Sequence, residues 1–79
     1  MNVEETVLNY VKNELAAGKE IDKNTSLVGV VDSTAIMELV VWIESTFGFS
    51  VEIDAITPEN FGTVELISKY VQSNLGSKS

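Results

Sequence analysis

The chain contains no cysteine and no histidine, so neither disulfide bonds nor a thiolate or imidazole metal site can hold its 79 residues together. A domain of this size buries only about 60% of the surface that its unfolded chain exposes. At 44% apolar residues, the sequence still lies well above the disordered range. We therefore expect one small helical bundle around a single core, with little room for an enclosed substrate cavity.

The first helix is predicted by apolar residues that recur at i, i+4 spacing: Val3, Val7, Val11 and Leu15. It should span residues 2–17, begin at Asn2 as its cap and stop at Gly18. The second helix should begin at Asp32-Ser33 and end at Gly48. Its inward stripe is Ile36, Leu39, Val40, Ile43 and Phe47. Together the two patterns predict a long loop over residues 18–32.

That loop carries apolar residues that should fasten it to the core: Ile21, Leu27, Val28, Val30 and Val31. Within it, Asp22, Asn24 and Ser26 resemble the first three ligands of an EF-hand. Leu27 stands where such a loop needs glycine, so the sequence argues against calcium binding.

The rest of the chain contains an extended connection and two more helices. Residues 49–53 alternate in polarity but have no partner strand. Thr57-Pro58-Glu59 predicts a capped short helix over 58–61, and Thr63 should cap a last helix. We interpret residues 1–79 as a single domain with a frayed tail at 76–79, and the fold as all-α, with three main helices and one short helix.

The charge of the chain is −7, and it is unevenly distributed. Residues 32–65 carry seven acidic residues and no basic residue. Such a stretch suits docking on the basic surfaces of other proteins, or it is simply a solvated face that keeps the protein soluble. The net charge makes nucleic acid an improbable partner. No apolar run approaches the ~20 residues of a membrane span. We expect a cytoplasmic monomer.

Ser33 is singled out by the order of the predicted helices, loop and motifs around it. A serine at a helix start is most often a plain cap, and without histidine it has no Ser-His activation. Here, however, a helix and a long loop with apolar anchors precede Val31-Asp32-Ser33, and the helix that starts there continues with Met37-Glu38-Leu39. Over residues 3–75 the size, acidity and helix order resemble the acyl carrier proteins, which carry phosphopantetheine.

The resemblance implies a four-helix bundle of acyl-carrier type that is not an enzyme. In it, 4′-phosphopantetheine would be joined covalently to Ser33, and Asp32 would cap the helix and assist transferase recognition. Its thiol would hold acyl groups as thioesters. The partner-binding positions that match are Thr34, Met37, Glu38, Val41, Trp42 and Glu44. The residues beside an acyl groove would be Ile53, Ile56 and Phe61. The implied partners are a phosphopantetheinyl transferase and an acyl-adenylating ligase, ketosynthase or acyltransferase with a basic docking surface.

The sequence departs from fatty-acid carriers in ways that make the docking face less charged. Thr34 stands where those carriers usually have leucine, Ser45 and Thr46 where acids are common, and Trp42 where a small or aliphatic residue is usual. The pattern is closer to discrete carriers of polyketide, nonribosomal-peptide or other specialised pathways. A fatty-acid carrier, a D-alanyl carrier and a helical interaction module without a prosthetic group remain alternatives. We also expect Trp42 to be partly exposed and to contact a partner.

Overall fold

The computed structural model describes residues 2–16 and 18–76, and within them the chain forms four α-helices and no strand. Helix α1 spans Val3–Tyr10 and continues as a π-helix over Val11–Leu15. The other helices are α2 at Ser33–Phe47, α3 at Pro58–Phe61 and α4 at Val64–Gly76, with a 3₁₀ helix at Ile53–Ala55 before α3. The predicted all-α bundle, with its long loop after the first helix, is confirmed. No helix in these residues is long and apolar enough to cross a membrane.

The first helix begins as predicted and ends differently. The Asn2 side chain accepts a hydrogen bond from the backbone N–H of Glu5 at 3.0 Å. The helix then widens, because the N–H of Ala16 reaches back five residues to the carbonyl of Val11 at 2.8 Å. This places Ala16 in the core at 2% exposure. The regular helix predicted for residues 2–17 was wrong at its C-terminal end, and residue 17 lies outside the described residues.

The core forms where α1, α2 and α4 meet, and it is made mostly of aliphatic side chains, together with Phe49 and Phe61. The largest fully buried ones are Val7, Val11, Leu27, Leu39, Ile43, Val64, Ile67 and Val71. From α2, only Leu39, Val40 and Ile43 are buried, so its inward face is narrower than predicted. Ile36 and Phe47, which were predicted to point inward, are only partly buried.

The long loop is fastened to the second half of the chain through both backbone and side chains. The N–H of Leu27 donates to the carbonyl of Gly62 at 2.7 Å, and the Leu27 side chain is 1% exposed. The N–H of Glu65 donates to the carbonyl of Lys23 at 3.0 Å. Val28, in contrast, is 70% exposed, so the prediction that it anchors the loop was wrong. The chain turns at Gly29 (φ 87°) immediately after Val28, and that side chain is left in solvent.

The segment between α2 and α4 follows the predicted order with two differences. Helix α3 has the predicted bounds and starts with Pro58, but the Thr57 side chain makes no capping hydrogen bond. The 3₁₀ helix at Ile53–Ala55 was not predicted. Thr63 caps α4 as predicted, since its hydroxyl accepts from the N–H of Leu66 at 3.1 Å. Gly76 is the last residue of α4, and the rest of the predicted frayed tail lies outside the described residues.

The Asp22 turn, which resembles the start of an EF-hand, is closed by its own hydrogen bonds. The carboxylate of Asp22 accepts from the N–H of Asn24 at 2.8 Å and from the hydroxyl of Thr25 at 3.1 Å. These two bonds hold the pKa of Asp22 below its usual value. Across residues 2–16 and 18–76, no cluster of three or more acidic side chains is placed to hold a metal ion.

Candidate functional site

Ser33 is the first residue of α2 and is exposed to solvent. Asp32 precedes it in an extended conformation and caps the helix, because its carboxylate accepts from the N–H of Ala35 at 2.8 Å. The carbonyl of Asp32 accepts from the N–H of Ile36 at 3.0 Å. The N–H groups of Ser33 and Thr34 have no acceptor among the residues that the structure describes. This end of α2 is therefore suited to an anion attached to the Ser33 hydroxyl.

A groove of about 470 Å³ opens beside Ser33, between the long loop, the start of α2 and the segment around α3. Its lining is mostly apolar: Leu27, Val28, Gly29, Val31, Asp32, Ser33, Ile36, Met37, Ile56, Thr57, Pro58 and Phe61. Of the three residues expected beside an acyl groove, Ile56 and Phe61 line it. Ile53 does not, and its side chain is 83% exposed. The expectation for Ile53 is corrected, because the 3₁₀ helix that begins there leaves this side chain in solvent.

Several residues of the groove were assigned by the sequence only to the core or to the loop. Leu27, Val31 and Ile36 belong to this group. Their nearness to Ser33 in the sequence was the available signal, since all lie within six residues of it. Pro58 was seen only as a helix start. Its place in the groove depends on how α3 packs, which no local pattern encodes.

Four of the six expected partner-binding residues lie on an exposed face of α2. Thr34 and Glu38 are exposed, and the apolar side chains of Met37 and Val41 are 50% and 60% exposed. Neither residue belongs to the inward stripe predicted for α2, and the structure leaves both at least half exposed. Met37 and Val41 form an exposed apolar strip with the acidic Glu38 beside it, and such a strip is typical of a surface that another protein covers.

Trp42 is partly buried, in agreement with the expectation of partial exposure. Its ring stacks on Tyr10 of α1 with centroids 4.2 Å apart and an interplanar angle of 12°. A second ring contact is an edge-on one with Phe47 of α2, with centroids 5.8 Å apart. The indole is thus held between two helices and shapes the surface next to the exposed strip. Whether it also touches a partner remains a prediction.

Glu44 differs from the rest of the expected partner face. It is partly buried, and its carboxylate accepts from the backbone N–H of Val51 at 2.8 Å. This bond ties the end of α2 to the extended segment that follows Gly48. In this structure Glu44 therefore stabilises the connection after α2, and it is less available to a partner than Glu38.

Comparison with known proteins identifies the class to which this fold and site belong. Residues 5–71 match the family described as phosphopantetheine attachment site. The chain is 30% identical to aminoacyl carrier protein 2 of Bradyrhizobium diazoefficiens, across 100% of this chain and 93% of that protein. It is 31% identical to the D-alanyl carrier protein of Enterococcus faecalis, across 92% of this chain and 97% of that one.

The chain therefore belongs to the phosphopantetheine-binding carrier proteins, and the resemblance to acyl carrier proteins is confirmed. Its prosthetic group is 4′-phosphopantetheine, which is attached covalently. Members of the family are generally not catalysts, and they interact with a phosphopantetheinyl transferase and with biosynthetic enzymes. The structure fits the group: an exposed hydroxyl lies beside free backbone N–H groups, and an apolar groove adjoins both.

Proposed function

We propose that this protein carries an aminoacyl or other small acyl group on a 4′-phosphopantetheine arm attached to Ser33, in a specialised pathway served by an adenylating ligase. The observation that carries the proposal is the placement of the Ser33 hydroxyl. It is exposed, it stands at the first position of α2 behind a capping Asp32, and it lies at the groove. The aminoacyl and D-alanyl carriers similar to this chain support an amino acid as cargo.

The residues around Ser33 would hold the arm without carrying out chemistry on it. The N–H groups of Ser33 and Thr34, at the positive end of the α2 dipole, would donate to the phosphodiester oxygens. The groove would shelter apolar parts of the arm or cargo. When attached, the group supplies a thiol that holds the cargo as a thioester. The chain has no cysteine that could do this itself.

Ser33 requires another enzyme to activate its hydroxyl. The chain has no histidine, and the neighbouring Asp32 carboxylate is occupied with the N–H of Ala35. With no histidine to form a Ser-His pair, a separate transferase would install the arm. This protein would then act as a substrate of its partner enzymes, and its contribution would be the high local concentration of tethered cargo.

The attachment residue is tested by modification with coenzyme A, magnesium and a broad-specificity transferase. Intact-mass analysis should show one phosphopantetheinyl group on the wild type and none on Ser33→Ala. Ser26→Ala is the matched control, because Ser26 is an exposed serine in the preceding loop and should leave modification intact. A modified Ser33→Ala protein, or a group mapped to another residue, would refute the assignment.

The cargo is tested with the modified protein and a panel of adenylating ligases, each offered amino acids, D-alanine and fatty acids. We expect a thioester with an amino acid or short acid and much slower loading with long-chain fatty acids. Preferential loading of D-alanine would identify a D-alanyl carrier, the second candidate, which the 31% identical relative favours. Preferential loading of long-chain fatty acids would instead indicate a fatty-acid carrier.

A further inference from the structure

A second cleft, of about 560 Å³, lies between the first helix and α2, whereas the groove beside Ser33 lies between α2 and the segment around α3. The wall that α2 contributes consists of Thr34, Met37, Glu38 and Val41. These residues follow one another at three- and four-residue spacing, so they form one face of the helix, and that face begins next to Ser33. An arm attached to Ser33 therefore has two paths along the protein, one into the groove and one into the cleft.

The arm is long enough to bring its cargo into the cleft. Glu38 follows Ser33 by five residues in α2, which is about 7.5 Å along the axis of an α-helix. Phosphopantetheine has two amide units between its phosphate and its thiol, and each unit spans about 3.5 Å or more. A cargo on the thiol therefore reaches Glu38 without full extension of the arm.

The groove offers no partner to a cationic cargo. Its one charged side chain is Asp32, and that carboxylate already accepts from the N–H of Ala35 at 2.8 Å. An ammonium group placed against the apolar lining would lose hydration without gaining a partner in return. The groove therefore suits apolar parts of the arm or cargo and disfavours a free amine.

The cleft differs from the groove because two carboxylates from different helices line it. Glu14 comes from the first helix and Glu38 from α2, and both lie near the hydroxyl of Tyr10. Burial raises the pKa of that hydroxyl, and the negative charges of Glu38 and Glu14 raise it further. Within residues 2–16 and 18–76, neither carboxylate forms an ion pair. The cleft is thus a place where an ammonium group gains two opposite charges.

The remaining walls of the cleft suit the apolar part of an amino acid. Val41 and Met37 are 60% and 50% exposed, so they can cover a small side chain without moving out of the core. The ring of Tyr10 is held in place because it stacks on Trp42 with centroids 4.2 Å apart. Carboxylates, aliphatic side chains and a fixed aromatic ring together match a group that has both an ammonium and an apolar substituent.

We propose that the cleft between the first helix and α2 holds the free ammonium group of an aminoacyl cargo, between the carboxylates of Glu14 and Glu38. The inference rests on the proposed function and deepens it, because it gives an amine-bearing cargo a resting place that a purely apolar acyl group does not share. The two carboxylates also favour the protonated amine. A protonated amine has no free electron pair with which to attack a neighbouring thioester, so the cargo is protected while it is held.

The test installs arm and cargo together with the transferase alone, so that it does not depend on a ligase. Two coenzyme A analogues carry an alanyl or a propionyl group through an amide in place of the labile thioester, and these cargoes differ by the ammonium group alone. In the ¹⁵N-labelled protein, the alanyl form should differ from the propionyl form in the amide shifts of Tyr10, Glu14 and Glu38. Identical spectra, or differences centred on Ile56 and Phe61 of the groove, would overturn the proposal.

The pKa of the cargo amine, followed by NMR titration of a ¹⁵N-labelled alanyl group, tests the two carboxylates directly. Glu14→Gln should lower this pKa by about 0.3, and Glu38→Gln should act similarly, as expected for exposed charge pairs. The matched control is Glu5→Gln, which removes the same charge at an exposed position about 13 Å from Glu14 along the first helix. If the control lowers the pKa equally, the general negative charge of the protein acts on the amine and the cleft assignment is wrong.

Failure of this inference and failure of the proposed function give different results. If the transferase leaves Ser33 unmodified, the proposed function fails and the inference fails with it. If the alanyl arm lies in the cleft but no ligase loads an amino acid, the proposed cargo is wrong and the ammonium site stands. If ligases load amino acids but the alanyl and propionyl forms are alike, the proposed function stands and the inference is wrong.

Discussion

The adjacent residues Leu27 and Val28 offer a sharp test of how the long loop is held. Leu27 is 1% exposed and Val28 is 70% exposed, although both were read from the sequence as anchors. Leu27→Ala removes three buried carbons, worth about 2.4 kcal/mol at about 0.8 kcal/mol each, and leaves a cavity that adds to the cost. We expect a loss of about 3 kcal/mol, a large share of the stability of so small a domain. Val28→Ala removes atoms that are mostly in water and should cost about 0.5 kcal/mol or less.

The assay is urea unfolding of the wild type and both variants, followed by far-ultraviolet circular dichroism. The slope of the free energy of unfolding against urea concentration should be the same for all three proteins, so that the urea concentration at the midpoint of unfolding reports stability directly. The Leu27→Ala variant should also be modified more slowly by the transferase, because the same loop leads into Asp32 and Ser33. Equal losses for the two variants, or a loss below about 1 kcal/mol for Leu27→Ala, would refute the view that this one side chain anchors the loop.

Four further predictions follow from single sites. Asp32→Ala should cost about 1 kcal/mol in urea unfolding, because α2 loses its cap, and Asp32→Asn should cost less. Gly48→Ala should cost about 1 kcal/mol, since its φ of 78° is unfavourable for alanine even though no atom lies within 4 Å of an added Cβ. Because hydrogen bonds lower the pKa of Asp22 in the folded state, the stability that its carboxylate contributes relative to Asp22→Asn should be complete at neutral pH. It should begin to be lost as the pH falls below about 4, the ordinary pKa of aspartate, and be gone below the lowered pKa of the folded state, as measured by urea unfolding across pH. Glu14→Gln should lower the pKa of Tyr10 toward its ordinary value in an ultraviolet titration, because the charge of Glu14 adds to the effects of burial and of Glu38, and an unchanged pKa would contradict the nearness of Glu14 to the Tyr10 hydroxyl.

The parts of the fold that the sequence predicted well carry their own local signals. Helix α2 has a capping acid at one end and a glycine with positive φ at the other, so both bounds could be predicted from neighbouring residues. The same holds for the proline start of α3. The position of Ser33 at the start of α2 followed from these signals, and its proposed role followed from the family resemblance.

Sequence reasoning was less reliable where an apolar residue lies in irregular structure or where two distant segments meet. Val28 lies in no periodic stretch, and Ile53 ends an alternation that has no partner strand, so neither pattern tells which way the side chain faces. Both side chains are exposed. The apolar residues at the π-helical end of the first helix have spacings that an α-helix also permits, so their pattern does not distinguish the two kinds of helix. Glu44 was assigned to the partner face through the family resemblance. Its bond to Val51 could not be predicted, because it depends on how the chain returns after Gly48.

The exposure of apolar residues around Ser33 is difficult to explain by stability alone. Val28 and Met37 border the groove, Val41 lies one helical turn beyond Met37 in α2, and each is at least half exposed. A domain this small buries a limited core, so leaving large aliphatic side chains in water gives up stabilisation of about 1 kcal/mol or more for each. Met37 joins the lining of the groove beside the attachment site to the exposed face of α2 that carries Val41. Met37→Ala should therefore cost little stability in urea unfolding but impair the loading of cargo. This is the result expected if the exposed face of α2 serves binding rather than folding.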